Sequence, residues 1–171
     1  EEETEFHGRS LARTGDALKP AISGVASGRT PAIVGPMPAE FSHVRPVEFA
    51  ETDMAGIVHF SNYFRWMESC ETAFLRSLGV PLIDLAPGQG VGWPRVNARC
   101  DYRAPLRFGD SVEVRLTVHE VRTRSVVLRF AFRKAADGRA VGEPVAEGEL
   151  TVVCVTGDGR GGMVAQPIPE A

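Results

Sequence analysis

The chain has 171 residues, of which 43% are hydrophobic and 24% charged, values typical of one globular domain with a tail. The formal net charge of −3 offers no basic surface for nucleic acid, so we predict no nucleic-acid partner. No uncharged apolar run is long enough to cross a bilayer, and the chain opens on three glutamates rather than a secretory signal. We therefore predict a cytoplasmic protein without membrane insertion.

Residues 1–40 differ in composition from the remainder of the chain. They are rich in Gly, Ser, Ala, Thr and Pro, and no helical or strand periodicity is maintained over a useful length. Such a segment cannot bury enough apolar surface to fold by itself. We predict a flexible N-terminal extension over residues 1–40 and a folded domain over residues 41–171.

The folded domain is predicted to begin with a strand over His43–Ala50, followed by a loop over residues 52–56. Ser61 or Asn62 is then expected to cap one long helix that runs to about Leu78. Gly79 and Pro81 are expected to end that helix. Its predicted apolar face consists of Phe64, Met67, Phe74, Leu75 and Leu78.

The rest of the domain is predicted to form strands, with a turn at Asp137-Gly138. The predicted strands are Val96–Tyr102, Val112–His119, Ser125–Lys134 and Val145–Thr156. The nearly continuous apolar run Leu150–Val155 indicates a strand that is buried on both faces. The order of one strand, one long helix and about four strands predicts an α+β domain in which a curled antiparallel sheet of about five strands surrounds a central helix.

Several kinds of functional site are absent from the sequence. The three cysteines, Cys70, Cys100 and Cys154, lack the close paired spacing of a disulfide framework or a zinc site, so we predict reduced thiols and no metal. There is no P-loop, no dinucleotide-binding glycine pattern and no Gly-x-Ser-x-Gly motif. We therefore predict no cofactor and no serine nucleophile.

Asp53 is the main candidate for chemistry. It lies in a glycine-containing loop just ahead of the predicted helix, whose first N–H groups lack intrahelical acceptors and attract negative charge. A carboxylate that attacks or activates water, together with N–H donors for an oxyanion, is what thioester hydrolysis requires. The same Asp in a Thr-Asp loop is also typical of a cap or a turn, and the residue pattern alone leaves both readings open.

The segment ETDMAGIVHFSNYFRWMESCETAFLRSLG, residues 51–79, resembles the signature of the 4-hydroxybenzoyl-CoA thioesterase family, which includes the Tol-Pal-associated acyl-CoA thioesterases. The resemblance is close over residues 44–79, and the later strands agree in order and length. It implies a hotdog fold and hydrolysis of an acyl-CoA to the free acid and CoA, with coenzyme A as part of the substrate. It further implies a homodimer or homotetramer, paired edge to edge, with active sites at the subunit boundary.

The resemblance assigns the catalytic Asp to Asp53 and the turn glycine to Gly56. It assigns the Asn and Tyr at the helix start to Asn62 and Tyr63, which we expect with Gly56 to contribute to substrate binding. The oxyanion-binding backbone N–H is expected near His59 or Phe60.

The order His59-Phe60 is the reverse of the aromatic-His order of many relatives. The His59 side chain is thus either an auxiliary acid or a loop-packing residue. Glu68 matches a helix carboxylate expected to pair with a basic side chain.

Two further groups of basic residues are ambiguous. By the same resemblance, Arg122 and Arg124 are expected either to contact the phosphates of CoA or to form a solvated turn. Arg99, Arg103 and Arg107 are expected either to serve solubility on the surface or to contact a nucleotide. Two other functions stay open: a hotdog dehydratase or hydratase that uses His59 with a helix carboxylate, Glu68 or Glu71, and a non-catalytic acyl-CoA-binding protein. The acyl group is not determined by the sequence.

Overall fold

A computed structural model describes residues 40–78, 91–160 and 162–168. The predicted extension up to residue 39, and the predicted helix-ending residues Gly79 and Pro81, lie outside this range. The elements in chain order are β1 (Glu40–Pro46), a 3-10 helix (Phe49–Glu51), α1 (Ser61–Ser77), β2 (Arg95–Tyr102), β3 (Ser111–Val121), β4 (Ser125–Ala136), β5 (Arg139–Val153), β6 (Val155–Gly157) and β7 (Met163–Ala165).

Five of these strands form one antiparallel sheet in the order β1-β3-β4-β5-β2, and β6 pairs with β7 in a small separate ribbon. The helix α1 packs on one face of the sheet, mainly against β3 and β1. This arrangement is the hotdog architecture, which confirms the predicted fold class. Among the described residues, no helix combines the length and apolarity needed to span a membrane.

The core lies between α1 and the sheet. The helix contributes the buried side chains of Tyr63, Trp66, Met67, Cys70 and Phe74. Met67 lies so close to β5 that a Cβ on Gly148 would approach its sulfur to 2.5 Å, so any larger residue there would displace the Met67 side chain. Of the predicted face, only Met67 and Phe74 are fully buried.

The other three residues of the predicted apolar face of α1 are partly buried at the margins of the core: Phe64, Leu75 and Leu78. Asn62 and Glu71 take part of the buried face instead, because each has a hydrogen-bond partner inside the fold.

Strands β2, β3 and β4 agree with their predicted positions to within two residues at either end. Asp137 and Gly138 both have positive φ, of 50° and 74°, and join β4 to β5 in a two-residue hairpin turn. The apolar run Leu150–Val155 begins on β5, which lies between β4 and β2 in the sheet, and ends on β6. Thr151 and Val153 are only partly buried, so the predicted burial of this strand on both faces was wrong. The last predicted strand was also misplaced, because β5 begins at Arg139 rather than Val145 and ends at Val153 rather than Thr156.

Two other local predictions were wrong. β1 ends at Pro46 rather than Ala50, because proline cannot donate to a neighbouring strand and Glu48 and Glu51 cap a 3-10 turn directly after it. The N-cap of α1 is Phe60, without a side-chain cap, rather than Ser61 or Asn62. Both of these side chains bond elsewhere, Ser61 to His59 and Asn62 to the Glu51 carbonyl.

Candidate active site

A tight loop connects the 3-10 helix to α1. Thr52 pairs with Val58 across the loop, and the Asp53 N–H donates to the Ile57 carbonyl at 2.9 Å. The His59 N–H donates to the Glu51 carbonyl at 2.9 Å and so joins the two ends of the loop. We call residues 51–59 the Asp53 loop.

Gly56 makes the sharp reversal in this loop. Its φ of 70° is in the left-handed region, which a glycine adopts without the steric cost that a Cβ imposes. Its N–H donates to the Asp53 carbonyl at 2.9 Å, and its own carbonyl accepts a hydrogen bond from Arg107 Nη1 at 3.2 Å. The turn role expected of Gly56 is thus explained by its conformation.

Asp53 is exposed, and its carboxylate bonds within its own loop. Oδ1 accepts hydrogen bonds from the Ala55 N–H at 2.8 Å and the Ile57 N–H at 3.5 Å. The other oxygen, Oδ2, has no hydrogen bond to the described residues. Asp53 is therefore a turn former, as one reading of its sequence position predicted, and it also presents a carboxylate oxygen to solvent; its catalytic role stays a prediction.

The two candidate oxyanion donors differ in the structure. The His59 N–H is bonded to the Glu51 carbonyl, whereas the Phe60 N–H has no acceptor among the described residues. The next two N–H groups both have acceptors. The Ser61 N–H donates weakly to His59 Nδ1 at 3.4 Å, and the Asn62 N–H donates to the His59 carbonyl at 2.9 Å. Phe60 therefore carries an unbonded N–H at the positive end of α1.

The His59 side chain lies on the surface beside this donor. Its Nδ1 is 2.8 Å from Ser61 Oγ, and its ring lies 4.4 Å from the Phe60 ring. These contacts orient the imidazole and leave its Nε2 without a hydrogen bond to the described residues.

Asn62 and Tyr63, which were expected to bind substrate, have their side chains inside the fold. Asn62 is 7% exposed, and its amide donates to the Glu51 carbonyl at 2.8 Å. Tyr63 is 3% exposed and packs against the rings of Trp66, Tyr102 and Phe132. Burial raises the pKa of Tyr63 to about 12. The observed contacts attach the helix start to the loop and the core.

Two residues at this end of the sheet were not recognised as part of the site. Arg107, expected above to serve solubility or to contact a nucleotide, holds the Gly56 carbonyl. Tyr102, at the end of β2, donates from its hydroxyl to the Phe60 carbonyl at 3.2 Å. The partners lie 51 and 42 positions apart in the sequence, so no local spacing could reveal these contacts.

Arg122 and Arg124 lie in the turn between β3 and β4. Arg122 donates to Glu120 at 2.7 Å, and both arginines are exposed. The Asp53 loop follows β1, whose last residue pairs with Ser111 at the other end of β3. Because a strand rises about 3.3 Å per residue, the length of β3 separates the two places by roughly 35 Å. One chain therefore does not bring these arginines to Asp53.

The helix carboxylates pair with one arginine, as expected for Glu68. Arg95 lies 3.7 Å from Glu68 and 2.5 Å from the buried Glu71. Burial raises the pKa of Glu71, and the adjacent Arg95 opposes that shift.

Comparison with known proteins identifies relatives in both sequence and structure. A 1,4-dihydroxy-2-naphthoyl-CoA hydrolase of Prochlorococcus marinus (strain NATL2A) is 34% identical over 105 residues, which cover 57% of this chain. A protein of Aquifex aeolicus (strain VF5) is 43% identical over 81 residues, or 47% of this chain. The alignments span 66% and 62% of these two relatives, respectively.

Solved structures extend the likeness over the whole domain. A gentisyl-coenzyme A thioesterase matches with a TM-score of 0.62 and 34% identity, over 75% of this chain and 96% of that one. The 4-hydroxybenzoyl-CoA thioesterase of Pseudomonas sp. strain CBS-3 matches with a TM-score of 0.66, over 77% of this chain and 95% of that one. At 22% identity, the second match supports the fold alone.

The family assignment follows from the extent of the sequence match. The sequence model of the thioesterase-like superfamily matches residues 47–171, which include the Asp53 loop, α1 and strands β2 to β7. The described fold and the structural relatives agree with this match. The chain belongs to the thioesterase-like superfamily.

Proposed function

We propose that the protein hydrolyses acyl-CoA thioesters, with Asp53 as the catalytic carboxylate and the Phe60 N–H as the oxyanion donor. The observation that carries this proposal is the loop geometry: Thr52–Val58 pairing holds Asp53 in a closed loop that leads directly into α1. The N–H at that helix start has no acceptor among the described residues. Superfamily membership supports the reaction class.

The two groups have complementary parts in the chemistry. Asp53 Oδ2 either attacks the thioester carbonyl to form a mixed anhydride or removes a proton from an attacking water. In both routes the carbonyl oxygen gains negative charge, which the Phe60 N–H and the helix dipole stabilise. The loss of one such donor typically costs about 2.7–4 kcal/mol of barrier.

Coenzyme A binding is proposed to involve two copies of the chain. β2 is an outer strand of the sheet, with Arg95 at one end and Tyr102, beside Phe60, at the other. Antiparallel pairing of β2 with a second β2 places the Tyr102 end of one copy beside the Arg95 end of the other. The turn with Arg122 and Arg124 lies toward that second end, because β4 and β5 connect it to the start of β2. The CoA phosphates would then contact the arginines of the copy opposite Asp53.

We propose an aromatic acyl group as the first choice of substrate. The relatives named above act on dihydroxynaphthoyl and gentisyl thioesters of CoA. A panel that contains these two, 4-hydroxybenzoyl-CoA and short and long aliphatic acyl-CoAs tests this choice.

The dehydratase alternative needs a histidine and a helix carboxylate that are free for proton transfer. Of the two helix carboxylates considered, Glu71 is bound to Arg95 and buried, which does not favour that reaction. Incubation with a 3-hydroxyacyl thioester, monitored for enoyl absorbance, tests it. A non-catalytic protein would bind acyl-CoA tightly without releasing thiol.

Asp53→Asn tests the proposed function, because asparagine retains an oxygen that can accept the loop hydrogen bonds but cannot act as nucleophile or base. We expect the rate of thiol release to fall by about 10²–10⁴-fold. The matched control is Asp158→Asn. Asp158 is another exposed aspartate whose Oδ1 accepts N–H groups two and four residues later, from Arg160 at 2.7 Å and Gly162 at 2.8 Å. Full activity in Asp53→Asn would refute the proposal.

A further inference from the structure

Glu51 is the first residue of the Asp53 loop, and its backbone carbonyl bonds to the opposite end of the loop and to the start of α1. Its carbonyl oxygen accepts two hydrogen bonds, from the His59 N–H at 2.9 Å and from the Asn62 side-chain amide at 2.8 Å. The first bond closes the loop, and the second attaches it to the first turn of α1.

The Glu51 carboxylate binds donors from three elements. Oε1 accepts a hydrogen bond from Trp66 Nε1 at 2.7 Å and lies 2.7 Å from an Arg45 guanidinium nitrogen. Oε2 accepts the Glu48 N–H at 2.9 Å. Arg45 also lies 5.0 Å from the centre of the Trp66 ring. Because Trp66 is 1% exposed, this network is fixed to the core.

We propose that Glu51 is the positioning residue of the site, which holds the Asp53 carboxylate and the Phe60 N–H in their reactive arrangement. This inference rests on the proposed function. Asp53 follows Glu51 by two residues on one side of the loop, and Phe60 directly follows His59 on the other side. The same residue therefore fixes both reacting groups relative to α1.

The side chain of Glu51 is suited to positioning rather than chemistry. Its exposed fraction is 14%, and each carboxylate oxygen already accepts a donor. A displacement of about 1 Å in a reacting group can lower a rate by about 100-fold, so a small movement of this anchor has a large effect.

Glu51→Gln tests the proposal with little change of shape. Its NH₂ group must face either the Glu48 N–H or the Trp66 and Arg45 donors, so one set of contacts is lost whichever way the amide turns. We expect kcat for acyl-CoA hydrolysis to fall by about 10–100-fold while KM changes little.

The matched control is Glu149→Gln on β5. The Glu149 side chain is 18% exposed and pairs with two arginines, Arg99 at 3.2 Å and Arg129 at 3.1 Å. It points away from α1, because its neighbour Leu150 lies in the core. Loss of this ion pairing should lower thermal stability and leave kcat unchanged, which separates positioning from a general effect of charge removal.

Hydrogen exchange at single N–H groups, followed by NMR, gives a readout that does not depend on turnover. In Glu51→Gln, exchange of the Trp66 indole N–H and the His59 N–H should accelerate, whereas Glu149→Gln should leave both as in the wild type. A wild-type kcat in Glu51→Gln, an equal loss of kcat in Glu149→Gln, or unchanged exchange would each overturn the proposal. If the wild type hydrolyses no thioester, the proposed function fails, and the exchange result alone decides whether Glu51 holds the loop.

Discussion

The two ends of the five-stranded sheet present polar groups in contrasting ways. At one end, the Asp53 loop is closed by backbone pairing and attached to α1 through Glu51, Asn62 and Trp66. At the other end, Arg122 and Arg124 occupy an exposed turn, where Arg122 pairs with Glu120. The backbone of that turn is held from a distance too, since the carbonyls of Arg124 and Thr123 accept hydrogen bonds at 2.8 Å from the N–H groups of Cys154 and Ile168. The ends differ in their side chains: Glu51 and Asn62 bond to distant residues at the first end, whereas the Arg122 side chain at the second bonds, among the described residues, only to its neighbour Glu120.

This contrast fits the two proposed chemical tasks. Attack on a carbonyl requires groups fixed to within a fraction of an ångström, which long-range hydrogen bonds and a buried tryptophan provide. Binding of a phosphate by a guanidinium tolerates more movement, because charge attraction acts over several ångströms. The proposed phosphate-binding arginines can therefore project from an exposed turn, whereas the proposed catalytic groups need the side-chain contacts that fix the Asp53 loop.

The largest effect in this comparison is expected from Gly56→Ala. An alanine at a φ of 70° strains the loop by about 1–2 kcal/mol, and the reversal that holds Asp53 must shift to relieve it. We expect kcat to fall by about 100-fold. Steady-state thiol release with one acyl-CoA measures it.

Gly142→Ala is the control for that change. Gly142 has the same φ of 70°, and a Cβ there meets no atom within 4 Å, as on a free surface. It should lose similar stability in a denaturant titration and keep its activity. Equal kcat values for the two variants would show that the Asp53 loop is not specially sensitive.

A tenfold effect on KM is expected at the other end of the sheet. Arg122→Ala and Arg124→Ala each remove a charged donor worth about 1.5 kcal/mol, which corresponds to about tenfold in affinity. The effect should disappear with an N-acetylcysteamine thioester, which lacks the phosphates. Arg139→Ala, at another exposed strand turn, should leave KM unchanged. Equal losses on both thioesters would remove the arginines from the proposed CoA site.

The smallest effect is expected at Asp110. Its carboxylate accepts the Arg107 N–H, and the Arg107 side chain in turn donates to the Gly56 carbonyl in the Asp53 loop. Burial raises the pKa of Asp110, but hydrogen bonds from Lys134 and the Arg107 N–H outweigh it and hold the pKa below its usual value. Because the folded-state pKa is lowered, this stabilisation is present above the unfolded pKa of about 3.8 and is lost as the pH falls below it.

Asp110→Asn should therefore lose roughly 1 kcal/mol of unfolding free energy at pH 7. Its difference from the wild type should shrink as the pH falls below 3.8 and through the lowered folded-state pKa. Urea unfolding at several pH values measures the difference. A constant difference across this range would exclude the ionic contribution.

The sequence predicted most of the fold because its signals are local. The alternation through β3 and the Asp137-Gly138 turn depend on neighbouring residues, and the Asp53 loop was located by its resemblance to a known family. The end of β1 was misplaced because the alternation continued past Pro46 into the capped 3-10 turn.

Other features depend on contacts that local patterns do not contain. The N-cap at Phe60 has no side-chain signal, and Tyr102 and Arg107 meet the site only after the sheet has formed. Glu51 lay within the recognised motif, yet its role depends on Trp66, which is 15 positions away.

The most direct test of the central claim follows single backbone N–H groups of the Asp53→Asn variant as an acyl-CoA is added. The ¹⁵N–¹H resonance of Phe60 should move strongly downfield as its N–H donates to the thioester carbonyl. The His59 resonance should move little, since that N–H is already bonded to Glu51. A Phe60 resonance that stays in place while the ligand saturates the protein would contradict the account.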